Sequence, residues 1–208
     1  MTKETDRNRT LVVLAEGDTE RAAREHIKRF LDARAAGRPK VRLQTSLFDG
    51  ALRPGEVRGR AEKYLADPAV LGVIALVDLY PQFKDVEEAN RTVASWLPAD
   101  TRCHVHVAKH DFEAWLLVGW DAILKQSGIK SALKPFGPQP ENVNHGKPPA
   151  HRLWELFQRG KPPRKYKKPV DGKKLFEQLE LEAVAAACPE FKRFLNTLLR
   201  LAGYGILP

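Results

Sequence analysis

Long apolar runs are missing from this 208-residue chain, and none approaches the roughly 18 residues needed to span a bilayer. The N-terminal "MTKETDRNRT" likewise lacks the apolar core of a secretory signal. Both absences argue against a membrane partner and for a cytoplasmic protein. Cysteine is scarce: Cys103 and Cys188 stand alone, with no CxxC pair, so a secreted disulfide scaffold is excluded and two reduced thiols are expected. The motifs GxSxG, GxxxxGK[ST] and GxGxxG are absent, which removes the local signatures of α/β-hydrolases, P-loop NTPases and dinucleotide-binding folds. There is no internal repeat and no low-complexity tract.

The chain has enough apolar material, 43% of its residues, for one sizeable core and an appended lobe. Its net charge of +9 is concentrated. Ten Lys or Arg fall between Lys147 and Lys174 against only Glu155 and Asp171. Such a block points to a polyanionic partner, nucleic acid (DNA or RNA), with a merely solvated basic loop as the alternative.

Residues 11–15 (LVVLA) have the length and composition of a buried strand. Gly17-Asp18 breaks the run, and "TERAAREHIKRFLDARA" brings Ala22, Ala23, His26, Ile27, Phe30 and Leu31 to one side of a helix, with Asp18 or Thr19 as its N-cap. Residues 41–48 alternate as a second strand. A second helix covers 55–68 and ends before Pro68. The apolar run 70–80 predicts a third strand, 86–97 a third helix, 101–110 a fourth strand, and "DFEAWLLVGWDAILKQ" a further helix. Strands alternating with helices predict an α/β fold: a Rossmann-like, mostly parallel sheet flanked by helices. A stretch rich in Pro, Gly and Asn separates an α/β domain, residues 1–126, from a basic loop and helical extension, residues 127–208, packed on it.

In such sheets ligands gather beyond the carboxyl ends of the strands. Glu16 follows the first strand, Asp78 the third, Asp111 and Glu113 the fourth, and Glu20 lies one helical turn beyond Glu16. Any one of these acids is ordinary as a cap or dipole partner. Several at one edge would repel one another unless a hard, oxygen-seeking cation such as Mg²⁺ or Mn²⁺ sat among them. They are therefore the candidate metal ligands. His104, His106 and His110 have an HxHxxxH spacing, but no Cys or carboxylate completes a zinc set. His110 is instead placed to orient the carboxylates. The four tryptophans, at 96, 115, 120 and 154, occupy apolar helical positions and read as core.

The strand ending in "EGDTE" (16–20) and the later strand ending in "VDLY" (77–80) resemble the two motifs of the TOPRIM superfamily, which includes topoisomerases, primases and OLD-type nucleases. More closely, the chain is similar to a stand-alone TOPRIM-like family often encoded beside ATPase genes. The shared segments are "EGDTE", "LVDLY" (76–80), "HDFEAWLL" (110–117), "PENVNHGKPPAHRL" (140–153), "YKKPVDG" (166–172) and "CPEFKRFLNTLL" (188–199), in order and over nearly the whole length. The resemblance implies a TOPRIM-like fold with a Mg²⁺-dependent phosphodiester site. Glu16 would be metal ligand or general base, and Asp78 the first Asp of the second motif. Tyr80 stands where the superfamily has its second Asp; Glu113 would replace that ligand. Glu20 matches an acidic position of OLD-type nucleases, and Lys168 their downstream lysine.

Three readings follow. In the first, the chain is a metal-dependent nuclease: Glu16, Asp78 and Lys168 carry the chemistry, with Glu16, Glu20, Asp78, Asp111 and Glu113 around the metal. Lys161, Arg164, Lys165, Lys167 and Lys168 hold the nucleic-acid backbone, and His110 and Tyr80 support the site. In the second, favoured by Tyr80, it is a non-catalytic nucleic-acid or nucleotide binding module. In the third, suggested only by the resemblance, it is an effector licensed by an ATPase partner, as in phage defence.

Overall fold

The computed structural model describes residues 9–48, 50, 52–130, 133–135, 139–143 and 147–208. The first eight residues, and residues 144–146 within the segment 140–153 singled out above, lie outside that description.

Four strands, β1 (Thr10–Ala15), β2 (Arg42–Leu47), β3 (Val70–Asp78) and β4 (Cys103–Ala108), form one parallel sheet in the order β2-β1-β3-β4. Parallel neighbours cannot be joined by tight hairpins. The crossovers are α1 (Asp18–Ala33), α2 (Pro54–Leu65) and α3 (Val86–Trp96). This is the α/β arrangement expected from the alternation of strand and helix patterns.

Side chains alternate across a strand, and in β1 both faces are buried. Leu11, Val13 and Ala15 join Ala23, Ile27 and Leu31 of α1 in one core; Val12 and Leu14 join Val57 and Ala61 of α2 and Ala89 and Val93 of α3 in the other. Each fully buried Leu or Ile contributes about 1.5–3 kcal/mol by removal from water. The α1-side core is the larger because the C-terminal helices complete it: α4 (Glu113–Leu116), α5 (Trp120–Ser127), α6 (Pro149–Arg159), α7 (Lys173–Phe176), α8 (Leu181–Ala187) and α9 (Pro189–Ala202). Phe191, Phe194, Leu195 and Leu198 of α9 are buried there, and His106 of β4 shares a 2.9 Å hydrogen bond with the Thr197 hydroxyl.

Two local readings are corrected. The N-cap of α1 is Gly17, with no side-chain cap, one residue before the pair expected from the sequence. A Cβ on Gly17 would lie 2.6 Å from Glu20 Oε2, so the cap position is left to a residue without one. Of the tryptophans, Trp115 and Trp120 are buried and Trp96 is half-buried, but Trp154 is exposed and packs its ring on His151. Its helix buries the other face, through Leu153, Leu156 and Phe157.

The ends of α5 and α6 abut with no room for a side chain. A Cβ on Gly160 would lie 1.6 Å from the Ser127 carbonyl oxygen. Gly160→Ala is therefore expected to destabilise the protein by about 2 kcal/mol or more, because backbone must move; urea denaturation checks it.

Candidate functional site

β1 lies between β2 and β3, so the chain leaves β1 towards one face through α1 and leaves β3 towards the other through α3. That divergence opens a crevice beyond the strand ends, the usual ligand position of open α/β sheets. Glu16 follows β1 directly, and Asp78 is the last residue of β3. A cavity of about 250 Å³ at this point is lined by Glu16, Gly17, Thr19, Glu20, Gly50, Asp78, Gln82, Glu113 and Lys168. Four of the five candidate metal carboxylates thus converge, together with the one lysine assigned to the chemistry.

Each carboxylate is held differently. Glu113, at the start of α4, is fully buried: Thr19 Oγ1 donates to its Oε1 at 3.1 Å, and Lys168 Nζ donates to its Oε2 at 3.1 Å. Asp78 Oδ1 accepts from the Phe112 amide at 2.9 Å. Glu16 accepts from the Leu52 amide, while its Oε1 is buried and has no partner. Asp111 is the exception. It is not among the residues lining the cavity; its Oδ2 accepts from the Ala150 amide in the first turn of α6 at 3.0 Å, and its Oδ1 is buried without a partner.

Burial and mutual repulsion push these acids towards the protonated form. Burial, then the charge of Glu113, raises Glu20 to about 7. Burial and the Glu113 charge also raise Asp111 to about 7, against the opposing Ala150 amide. Asp78 is raised well above the carboxylate range by burial and by Glu20, Glu113 and Asp111. Glu16 is raised by burial, partly offset by the Leu52 amide and Lys168. Lys168 is the counter-charge: burial alone would lower its pKa, but Glu113, Asp111 and Asp78 raise it.

The lysine reaches this place because residues 166–172 turn back over α1. Lys168–Gly172 form a π-helical turn, and a Cβ on Gly172 would meet the Tyr166 hydroxyl at 2.9 Å and Thr19 Cγ2 at 3.0 Å. Asp171 pins the turn. Buried to 2% exposure, its Oδ2 accepts from Arg164 Nη1 at 2.8 Å and the Lys167 amide at 2.7 Å, and its Oδ1 from Gln126 Nε2 at 3.2 Å. These bonds outweigh the desolvation that would raise Asp171 and hold its pKa low. Removing the carboxylate strands three donors, so Asp171→Ala is expected to cost about 2–3 kcal/mol in a denaturant titration and to loosen Lys168.

Of the basic residues assigned to the nucleic-acid backbone, Lys161, Lys165 and Lys167 are exposed, and Lys168 is shared with the cavity. Arg164 is committed internally, to Asp171 and over the Phe157 ring at 4.4 Å. His110 has a left-handed backbone, φ 75°, and its carbonyl accepts from the Tyr80 amide at 2.8 Å. Its Nε2 is buried and unpartnered, and burial with the nearby Lys109 charge lowers its pKa. The Tyr80 ring is 52% exposed. Thr19, Gln82 and Asp171 were missed in the sequence. Only Asp171 carried a signal, as one of two acids in a basic block.

The donor set is all oxygen and includes a buried, unpartnered Glu16 Oε1, which suits a hard cation such as Mg²⁺. Among the described residues, no three His, Cys, Asp or Glu are already grouped to hold an ion. The carboxylates would therefore turn inward onto a cation rather than receive it in a finished cage. Among the described residues no helix is long and apolar enough to cross a membrane.

The fold is similar to the solved C-terminal region of the Burkholderia pseudomallei OLD protein, with a TM-score of 0.55 and 15% identity over 94% of this chain and 98% of that one. At that identity the likeness speaks for the fold alone. No curated protein matches the sequence. A family model does, across residues 15–199, and the chain belongs to that family, the domain of unknown function DUF4276.

Proposed function

We propose that the chain is a divalent-cation-dependent phosphodiesterase acting on nucleic acid, of the TOPRIM type. The observation that carries this reading is the convergence of Glu16, Glu20, Asp78 and Glu113 with Lys168 on one cavity beyond the strand ends. Glu16, Glu20 and Asp78 would hold Mg²⁺ or Mn²⁺. When bound, the ion would supply charge stabilisation at the phosphate and ease deprotonation of the attacking water.

The chain's own residues do the rest. Glu16, with a free Oε1 and a raised pKa, takes the proton from water. Lys168, half-exposed and hydrogen-bonded on one side to Glu113, turns its remaining N–H groups to the scissile phosphate, where negative charge develops. Glu113 and Thr19 set the position of that ammonium. Exposed Lys161, Lys165 and Lys167 hold the backbone without reading bases. Asp111, which accepts from the Ala150 amide in the first turn of α6, ties the segment after β4 to the basic segment.

Lys168→Ala is expected to lower kcat by about 100- to 1000-fold with a smaller change in KM, as for removal of one donor to a developing charge. An unchanged kcat in single-turnover cleavage of a labelled oligonucleotide contradicts the role. One observation favours a second reading, a non-catalytic module: no three donors are already grouped around a common point among the described residues. A partner-licensed effector differs from both in cutting only together with an ATPase, a context the TOPRIM-like resemblance suggests.

A further inference from the structure

Where the ends of α5 and α6 meet, another cavity opens. It measures about 340 Å³ and is lined by Gly128, Ile129, Lys130, Leu133, Arg159 and Lys161. Its volume falls in the usual range of ligand sites, roughly 300–1,000 Å³. Three of these residues are cations and none is an acid, whereas four acids and one lysine line the carboxylate cavity. Ile129 and Leu133 are half-buried and supply an aliphatic wall.

Helix C-termini attract cations, because their last carbonyls carry partial negative charge, and Arg159 stands in the last turn of α6. That attraction does not account for the cluster, since the terminal carbonyls already have donors. In α5, Leu124 accepts from the Ile129 amide at 3.0 Å, Lys125 from the Gly128 amide at 3.2 Å, and Gln126 from Arg164 Nη2 at 3.3 Å. In α6, Leu156 accepts from the Gly160 amide and Phe157 from the Arg164 amide, both at 3.1 Å. Backbone amides and Arg164 thus close both helix ends. The side chains of Lys130, Arg159 and Lys161 are exposed, and among the described residues they have no hydrogen-bond or ion-pair partner. Three like charges around one cavity repel one another unless an anion lies among them.

One segment joins the two cavities. Lys161 lines the cationic one and Lys168 the carboxylate one, and seven residues span at most about 25 Å. Arg164 pins the segment midway, through Phe157, Gln126 and Asp171, while Lys165 and Lys167 stay exposed. A row of cations therefore leads from one cavity to the other. At 3.4 Å of axis per nucleotide, at most about seven nucleotides of a duplex strand cover the distance.

We infer that the cavity of Lys130, Arg159 and Lys161 is an anchoring site for a backbone phosphate of a polynucleotide whose scissile phosphate lies in the carboxylate cavity. The inference rests on the phosphodiesterase reading and narrows it: the substrate is a chain long enough to reach both cavities, not a mononucleotide or a small diester. The cations meet the phosphate oxygens, and the aliphatic wall takes the face of the attached sugar. Contacts of this kind fix the position of the backbone and carry no base sequence.

Fluorescence anisotropy tests this with a labelled oligonucleotide duplex long enough to reach both cavities, in EDTA and again in Ca²⁺. Wild type is compared with Lys130→Ala/Arg159→Ala and with a control of equal charge loss, Lys40→Ala/Lys63→Ala, at exposed positions before β2 and on α2. Melting curves check that both pairs of substitutions keep the fold. Lys130→Ala/Arg159→Ala is expected to weaken binding by about tenfold. The slope of log K against log salt, between about 50 and 200 mM, should fall in magnitude by about two. The control should stay within about twofold of wild type. Equal losses in the two variants, or no loss in Lys130→Ala/Arg159→Ala, overturn the anchoring site while leaving the phosphodiesterase reading standing. So does competition by a micromolar nucleoside monophosphate that Lys130→Ala/Arg159→Ala abolishes, because it marks a small-molecule site. Failure of wild type to bind the duplex overturns that reading and the anchoring site with it.

Discussion

Asp78→Asn is expected to abolish divalent-cation-dependent cleavage and, in the same protein without metal, to raise the melting temperature. The two effects share one cause. Asp78 stands among Glu20, Glu113 and Asp111, and their charges together with burial push its pKa well above the carboxylate range. The amide keeps the oxygen that accepts from the Phe112 amide, so the local geometry survives while one negative charge is gone. Relief of that repulsion is expected to add about 2 kcal/mol at pH 8, roughly 4–8 °C for a chain of this length. The same charge is what draws a cation between β1 and β3, and an amide oxygen binds Mg²⁺ far less well. Melting curves in EDTA and cleavage assays in Mg²⁺ read the two halves. A variant that melts lower than wild type would show that Asp78 is a structural acid and not a strained site residue.

Stability of the metal-free protein is expected to fall as pH rises from 6 to 8. Glu20 and Asp111 titrate near 7 in the folded chain against ordinary values of 4.5 and 3.8, because of burial and the charge of Glu113. Asp78 is displaced in the same direction. Between these values the folded chain binds more protons than the unfolded one, so the contribution is whole below the unfolded pKa and is lost as pH climbs through the folded one. Each unit corresponds to about 1.4 kcal/mol, so the combined loss is expected to reach several kcal/mol. His106, pushed down to about 4 chiefly by burial, acts in the opposite sense and only on the acid side, where its contribution disappears as pH falls below 6.5. Urea midpoints in EDTA at pH 6, 7 and 8 should therefore decline. The slope should flatten in Glu20→Gln and again in wild type with Mg²⁺, where a cation replaces the missing protons. A flat profile in EDTA would mean that the carboxylates do not repel one another in the folded protein.

The sheet and its acidic edge were legible because each rests on a local signal. The strands are apolar runs that stop at Glu16, Asp78 and the His110-Asp111 pair, and the fold rule for parallel sheets places such stops together. The packing of α1 through Ala23, Ile27 and Leu31 follows the same kind of periodic signal. What local signals did not carry depends on long-range closure. Lys168 was named through the resemblance alone, and it lies 55 residues from Glu113 in sequence. Only the turn pinned by Asp171 brings it across, and no spacing rule predicts that. Arg164 looked identical to its basic neighbours until Asp171 was seen to hold it. Thr19, read as a cap for α1, gives its hydroxyl to Glu113 instead. A hydroxyl at a helix start has two available uses, and the tertiary partner decides between them.

The most direct test of the carboxylate cavity as a metal-dependent phosphodiesterase site is one cleavage experiment. Wild type and Glu16→Ala are incubated with plasmid, single-stranded DNA and structured RNA in Mg²⁺, Mn²⁺ or EDTA. Cutting by wild type in either metal, absent in EDTA and absent in Glu16→Ala, is the predicted result. Cutting that persists in EDTA, or in Glu16→Ala at the wild-type rate, would contradict it.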